Sequence, residues 1–187
     1  MNTSEPRVGM TLDYNGTSPT LGAEVFLAPG AVIIGDVTVG AESSIWFNAT
    51  VRGDVHFITI GEQTNIQDNS VLHVTHDTNP LVVGDRVTCG HGVTLHGCTV
   101  EDECLIGIGA IVLDGAIVEH GSMVAAGALV PPGMSVPSGM LVAGIPARPV
   151  RELRKSEREE LPASAARYVE YARRMQVSLG DQRDLPG

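Results

Sequence analysis

Large aromatic side chains are scarce in this sequence: Phe, Trp and Tyr make up 4% of its 187 residues, although 43% of the residues are hydrophobic. The apolar side chains are therefore mostly small or β-branched, which suits a narrow interior better than a bulky one. A chain of this length is long enough for one substantial domain and too short for two of ordinary size. The composition thus predicts one narrow core.

Clusters of positive charge and long apolar runs are also missing. The formal net charge is −10, and no group of Lys and Arg stands apart from acidic neighbours, which argues against nucleic acid or an anionic membrane as a partner. No apolar run approaches the ~20 residues of a membrane span, and residues 1–10 lack the basic and apolar regions of a signal peptide. We therefore expect a cytoplasmic protein with a small or neutral ligand.

Cysteine is limited to Cys89, Cys98 and Cys104. Three cysteines cannot all pair within one chain, and these three lie in apolar or Gly-rich surroundings. They are expected to be buried, reduced thiols and not disulfides.

A repeat of six residues organises most of the chain. Aliphatic residues or Cys recur at this interval through residues 21–51, 60–72, 83–95 and 100–142, and a small or β-branched residue follows most of them by four places. This period is neither that of a helix nor simple alternation, so it indicates a coiled β-solenoid with both residue types inside. The longer intervals at 51–60 and 72–83 predict outward loops, and the shorter one at 95–100 predicts a one-residue deletion.

The pattern changes after residue 149, which divides the chain into a solenoid over 1–149 and an α-helical segment over 150–187 that packs on it. Apolar residues at helical spacing support this segment: Leu153, Leu161, Ala165, Tyr168, Ala172 and Met175. Because proline removes a helical hydrogen bond, an interruption is expected near Pro162, with Ser164 as the cap of the second part.

The repeat also predicts where several polar residues lie relative to one another. Three units stack on one face, and the residue after the inward aliphatic points outward in each, because side chains alternate along a strand. These residues are Arg52, His73 and His96. The backbones of His73 and His96 should be ~4.8 Å apart, and two imidazoles at that spacing can share a zinc ion.

Asp68 and His91 occupy the third places of two units on a different face. His91 is five residues from His96 but lies around a corner of the solenoid. A threefold neighbour could supply this histidine to the His73 and His96 pair, which would put the metal at a subunit boundary.

These residues fall in segments that closely resemble gamma-class carbonic anhydrases, over roughly residues 21–151. The segments are Val51-Arg52-Gly53-Asp54, Asn65-Ile66-Gln67-Asp68, Leu72-His73-Val74, residues 90–98 and residues 106–115. The resemblance implies an all-β solenoid, the left-handed parallel β-helix of hexapeptide repeats, in which three units close one triangular turn. It also implies a homotrimer with metal sites at the subunit interfaces.

By the same resemblance, His73 and His96 of one subunit and His91 of the next bind zinc. Arg52 and Asp54 approach Asp68 of the neighbour, and Gln67 orients the water on the metal. Tyr168 resembles a helix tyrosine that lies near the metal in relatives. A salt bridge at the interface, for Arg52 and Asp68, and plain helix packing, for Tyr168, are the alternative interpretations of these residues.

The implied activity is the reversible hydration of carbon dioxide to bicarbonate by zinc-bound hydroxide, because three His ligands with an open fourth position are typical of catalytic zinc. Ferrous iron is an alternative metal. The sequence departs from the best characterised members at Val55, where they carry a glutamate, and in the short loop over residues 75–80. These departures put fast proton transfer in doubt, and His56 or His76 are candidate substitutes.

Three other functions remain open at this point. Residues 144–147, Gly-Ile-Pro-Ala, resemble a signature of hexapeptide acyltransferases. A zinc-dependent hydrolase or thioesterase could use the same site, and a scaffold subunit with weak activity could retain it. Zinc content separates the first of these from a metalloenzyme.

Overall fold

The computed structural model describes residues 9–181, which form twenty strands and one helix. The first eight strands are β1 (Met10–Leu12), β2 (Thr20–Leu21), β3 (Phe26–Leu27), β4 (Val32–Val39), β5 (Ser44–Ile45), β6 (Thr50–Ile60), β7 (Asn65–Ile66) and β8 (Val71–His73). Next come β9 (Leu81–Val83), β10 (Thr88–Cys89), β11 (Thr94–His96), β12 (Thr99–Val100), β13 (Leu105–Ile106), β14 (Ile111–Val112), β15 (Ile117–Val118) and β16 (Met123–Val124). The last are β17 (Leu129–Val130), β18 (Ser135–Val136), β19 (Met140–Gly144), β20 (Ala147–Glu152) and α1 (Lys155–Asp181).

The strands stack in three faces of a parallel solenoid. One face contains β8, β11, β14 and β17, a second contains β9, β12, β15 and β18, and a third runs from β3 through β5, β7, β10, β13 and β16 to β19 and β20. The long strands β4 and β6 turn a corner and belong to the first two faces. The architecture is the predicted left-handed β-helix of hexapeptide repeats, with about seven turns.

The core runs along the solenoid axis and consists of the residues that the repeat predicts to point inward. The aliphatic side chains of the first place, including Ile33, Ile66 and Val112, are fully buried, and so are small residues of the fifth place such as Ala110. Leu21 is the exception, with 37% of its surface exposed. It lies on β2, which pairs only with β4 and has no coil above it within the described residues.

The two long intervals in the repeat differ from each other. Over residues 51–60 the chain forms no separate loop, because β6 is continuous and its residues 54–57 bulge out opposite Asp36 of β4. This part of the prediction is wrong. Over residues 72–83 the chain does leave the solenoid in a short loop, which a bridge between Thr75 and Asn79 closes.

Helix α1 lies along the third face, against β3, β5, β7 and β10. It buries Leu161, Ala165 and Ala172. The predicted interruption is wrong: the helix continues through Pro162. Ser164 does not cap a helix, since its buried hydroxyl accepts a hydrogen bond from Thr88 Oγ1 at 3.3 Å.

The segment that joins solenoid and helix is a strand. β20 pairs antiparallel with β19, so the sheet continues to residue 152 and the helix begins at residue 155. Residues 1–8 and 182–187 of the two predicted segments lie outside the described residues.

All three cysteines are reduced and buried, as the sequence predicts. Burial raises the pKa of Cys98 and Cys104 to about 12, which makes both thiols poor nucleophiles at neutral pH. Over residues 9–181, we find no helix with the length and apolar content needed to cross a membrane.

Candidate metal centre

His73 and His96 end two neighbouring strands of the first face. β8 and β11 pair in parallel with His73 directly opposite His96, so both imidazoles project outward from the same place in successive coils. Nδ1 of His73 lies 3.1 Å from Nε2 of His96. The stacked register therefore brings one nitrogen of each ring together.

Each of these rings uses its other nitrogen to bind a carboxylate. Nε2 of His73 lies 2.9 Å from Asp54 Oδ1, and Nδ1 of His96 lies 2.7 Å from Asp114 Oδ1. A carboxylate only accepts hydrogen bonds, and a neutral imidazole has a single N–H. The carboxylates thus fix both tautomers, and the two nitrogens that face each other carry lone pairs.

With no proton on either nitrogen, the two atoms cannot form a hydrogen bond with each other. Their lone pairs can instead bind the same cation. With Zn–N bonds of about 2.0–2.1 Å, two nitrogen ligands of a tetrahedral zinc ion are roughly 3.3 Å apart. The observed 3.1 Å is close to that value. Imidazole nitrogens held by carboxylates are also the usual surroundings of zinc ligands, so these residues fit a zinc ion; ferrous iron accepts the same donors.

His91 repeats this pattern on the third face. It follows β10, and its Nδ1 lies 2.8 Å from Asp68 Oδ2, so its Nε2 is left as the donor atom for a metal. Its side chain is 50% exposed. Within residues 9–181 no three His, Cys, Asp or Glu side chains are grouped closely enough to hold a metal ion. One chain therefore contributes the pair and the single histidine at different places.

Asp54 links the histidine pair to Arg52. Its second oxygen forms an ion pair with the Arg52 guanidinium. Burial by itself raises the pKa of Asp54, but the hydrogen bond to His73 and the contact with Arg52 outweigh that effect and hold the pKa below the ordinary 3.8. Asp54 is thus kept ionised and ready to accept the His73 N–H. The predicted approach of Arg52 and Asp54 to a neighbour's Asp68 stays a prediction.

Tyr168 lies on the side of the molecule that carries His91. Its ring packs edge-on against Trp46 with centroids 5.6 Å apart. Both aromatic residues line a cleft of about 550 Å³ between α1 and the third face, together with Asp68 and His91. Burial, and then the charge of Asp68, raise the pKa of Tyr168, so its hydroxyl stays protonated at neutral pH.

Gln67 is buried next to this cleft, two residues after Asn65. Its side-chain amide donates a hydrogen bond to Asn65 Oδ1 at 3.1 Å. The predicted role of Gln67 towards a water on the metal stays a prediction.

His56 and His76 have different surroundings. His56 lines a small cleft with Asp54 and Asp36, and its Nδ1 accepts a hydrogen bond from the Phe57 amide. His76 is 74% exposed and pairs with Asp77. In the described part of the chain, neither imidazole is bonded to the histidine pair.

Sequence reasoning missed Asp114. Its signal was present in the repeat: Val112 pairs with Leu95, so Asp114 comes two places after a residue that stacks on the His96 strand. Thr75, whose hydroxyl donates to Asp114 Oδ1 at 2.9 Å, was missed as well.

Comparison with known proteins identifies the family of this chain. Residues 18–53 match the family described as bacterial transferase hexapeptide (six repeats). The chain is 46% identical to a carbonic anhydrase of Geobacillus kaustophilus over 183 residues, which cover 95% of this chain and 100% of that protein.

Two further proteins are similar over most of this chain. A mitochondrial gamma carbonic anhydrase 1 of Arabidopsis thaliana is 47% identical over 83% of this chain and 58% of that protein. A hexapeptide transferase family protein from Anaplasma phagocytophilum has a crystal structure with a TM-score of 0.85 and 43% identity, covering 88% of this chain and 96% of that one. The chain belongs to the gamma-class carbonic anhydrase family of hexapeptide-repeat proteins.

Proposed function

We propose that this protein is a zinc-dependent carbonic anhydrase that interconverts carbon dioxide and bicarbonate. We further propose that it acts as a homotrimer in which His73 and His96 of one subunit and His91 of the next hold each metal ion. The observation that carries the proposal is the pair of facing lone pairs, Nδ1 of His73 and Nε2 of His96, 3.1 Å apart. The relatives named carbonic anhydrase support the activity.

The positions of the three histidines support a metal site at a subunit boundary. His91 belongs to the third face and the pair to the first, so no single chain in the described range gathers all three. Each of the three imidazoles nevertheless has a carboxylate on one nitrogen and a lone pair on the other. A threefold arrangement that brings the third face of one chain to the first face of the next completes a three-His site.

His73, His96 and the neighbour's His91 would hold the zinc ion, which would supply hydroxide at neutral pH by lowering the pKa of a bound water to about 7. The carboxylates of the protein orient the histidine ligands and polarise their imidazole rings. Asp54 and Asp114 hold the His73 and His96 rings so that the lone pairs of His73 Nδ1 and His96 Nε2 face each other. Arg52 helps to keep Asp54 ionised, and 42% of its side chain is exposed.

Stopped-flow measurement of carbon dioxide hydration tests this proposal. The zinc-loaded and the iron(II)-loaded protein are compared with protein stripped by a chelator, at equal concentration. We expect hydration that depends on metal and returns when metal is restored. A metal-replete trimer that does not accelerate hydration would contradict the proposed activity.

One observation favours a second candidate function, the zinc-dependent hydrolysis of an organic ester or thioester. The cleft beside His91 has a volume of about 550 Å³ and apolar walls from Trp46, Phe47 and Met175. In the single chain, that volume is in the range that holds organic ligands. The same attacking hydroxide would act on a carbonyl carbon in place of carbon dioxide.

Tyr171→Ala separates the two candidates, since Tyr171 lines the cleft but is bonded to none of the three histidines. If an acyl thioester is the substrate, the variant should raise its KM and leave carbon dioxide hydration unchanged. Absence of thioester hydrolysis by the zinc-loaded wild-type protein would eliminate the second candidate.

A further inference from the structure

Asp114 joins two parts of the chain that are distant in sequence. It lies in the turn after β14, and its Oδ1 accepts two hydrogen bonds, from His96 Nδ1 at 2.7 Å and from Thr75 Oγ1 at 2.9 Å. β14 stacks directly on β11, so Asp114 sits one coil beyond His96. Thr75 belongs to the loop after β8, which carries His73.

The chain leaves a specific space for this carboxylate. Gly97, the residue after His96, has a φ of +53°, and a Cβ there would lie 2.3 Å from Asp114 Oδ1 and 2.7 Å from the Asn79 Cβ. Any larger residue would displace either Asp114 or the loop that carries Thr75. The absence of a side chain at Gly97 thus permits the contact between Asp114 and His96.

We propose that Asp114 is a positioning residue that fixes the tautomer and the ring orientation of His96, and that Thr75 holds Asp114 in place. The inference rests on the proposed function only in that His96 is a metal ligand. With the proton held on Nδ1 by Asp114, the Nε2 lone pair of His96 faces His73 and is available to a metal.

The tautomer of His96 matters because the same two rings have a competing arrangement. If the proton of His96 moves to Nε2, that N–H can donate to His73 Nδ1, which is already 3.1 Å away. The two donor atoms would then bind each other and exclude the metal. Asp114 disfavours this closed pair because an ionised carboxylate can accept a hydrogen bond from His96 Nδ1–H but cannot donate one to a bare Nδ1.

Asp114→Asn is the sharpest test, because asparagine has the same shape but can donate an N–H to His96 Nδ1 and so stabilises the closed pair. We expect nitrogen-15 NMR of the metal-free protein, at a pH well above the ordinary His pKa of ~6.5, to detect the proton of His96 on Nδ1 in the wild type and on Nε2 in the variant. Zinc affinity, measured by competition with a chelator, should fall about 10- to 100-fold.

Matched variants separate positioning from general destabilisation. Asp102→Asn is the control, because Asp102 occupies the corresponding turn position after Val100 and accepts the Asp85 amide, away from the histidines. It should leave zinc affinity and the His96 tautomer unchanged. Thr75→Val should weaken zinc binding several-fold, and Thr75→Ser, which keeps the hydroxyl, should restore it.

Two results would overturn the inference. Asp114→Asn protein that keeps both the Nδ1–H tautomer and wild-type zinc affinity would remove the role of Asp114. Equal zinc affinities for Thr75→Val and Thr75→Ser would remove the role of Thr75. Failure of the wild-type protein to bind zinc would instead refute the proposed function, while the tautomer measurement would still decide the role of Asp114.

Discussion

His73, His96 and His91 each bind a carboxylate through one ring nitrogen, so each should contribute one lone pair to the metal. Replacing any one of them by Ala should remove most of the bound zinc and nearly all hydration activity, because a two-His site lacks the coordination that catalytic zinc requires. Metal analysis of the purified variants, with stopped-flow assays, measures both effects.

His76→Ala is the control for these substitutions, since His76 is exposed and pairs with Asp77 in the loop after β8. This variant should keep its zinc. Full zinc occupancy in His96→Ala protein would refute the assignment of that ligand.

The sequence could predict the histidine pair but not its carboxylates. The six-residue period sets the strand register, and the register alone puts His96 opposite His73. The contact of Asp114 with His96 depends in addition on the turn conformation, on the Thr75 hydroxyl and on the space at Gly97. The repeat places Asp114 one coil from His96, but it does not encode the side-chain contacts that join the two residues.

At the level of single elements, the first turn of α1 is held by Glu157. This carboxylate accepts the Arg154 amide at 2.8 Å, which caps the helix, and binds both terminal nitrogens of Arg151 at 2.7 Å. The hydrogen bond from Arg151, and then that from Arg154, lower the pKa of Glu157 from 4.5 to about 2. The helix start is therefore tied to β20 by an ionised group.

Glu157→Gln should lower the free energy of unfolding in a way that depends on pH. Because the pKa is lower in the folded state, the stabilising effect is fully present above about pH 4.5 and is lost as the pH falls towards about 2. Denaturant unfolding of the wild type and the variant across this range should give two curves that differ at neutral pH and converge in acid.

Glu159→Gln is the matched control for this measurement, since the Glu159 carboxylate is exposed and lies 3.7 Å from Lys155. It should change stability less than Glu157→Gln does. A constant difference between wild type and Glu157→Gln from neutral pH down to about pH 2 would contradict the proposed role of Glu157.

Helix α1 also illustrates a limit of sequence reasoning. Its apolar spacing predicted a helix, but Pro162 predicted a break that does not occur. A proline inside a helix costs about 3 kcal/mol, and the buried Leu161, Ala165 and Ala172 pack the helix on the third face on the C-terminal side of this proline and next to it. Tertiary packing of this kind offsets the local cost and is not visible in a local pattern.

For the whole molecule, stability depends on one continuous core whose coils contact only their neighbours. Val112→Glu should destabilise it strongly, because Val112 is fully buried and an unpaired charge there costs several kcal/mol. The melting temperature should fall sharply. Val150→Glu is the matched control, because it also replaces a valine but at a strand position that is 58% exposed. This variant should have nearly the wild-type melting temperature. A wild-type melting temperature for Val112→Glu would refute the inward register.

The assembly of the subunits would join two different faces of the solenoid. The first and third faces carry complementary parts of the candidate site, the histidine pair on one and His91 with Asp68 on the other. The repeat arithmetic separated them from sequence alone, because it assigns each residue to a face. Which surfaces meet depends on contacts between chains, and a pattern within one chain does not contain them.

Co-expression of two complementary variants tests the shared zinc site most directly. His91→Ala chains keep the pair, and His73→Ala/His96→Ala chains keep His91, so neither can form a site alone. With three chains of 19.6 kDa, light scattering should give about 59 kDa, and any trimer that mixes the two variants contains one boundary with an intact pair and an intact His91. We predict one zinc ion for each mixed trimer and none for either variant alone. Mixed trimers that bind no zinc, beside a wild-type trimer that does, would contradict the shared site.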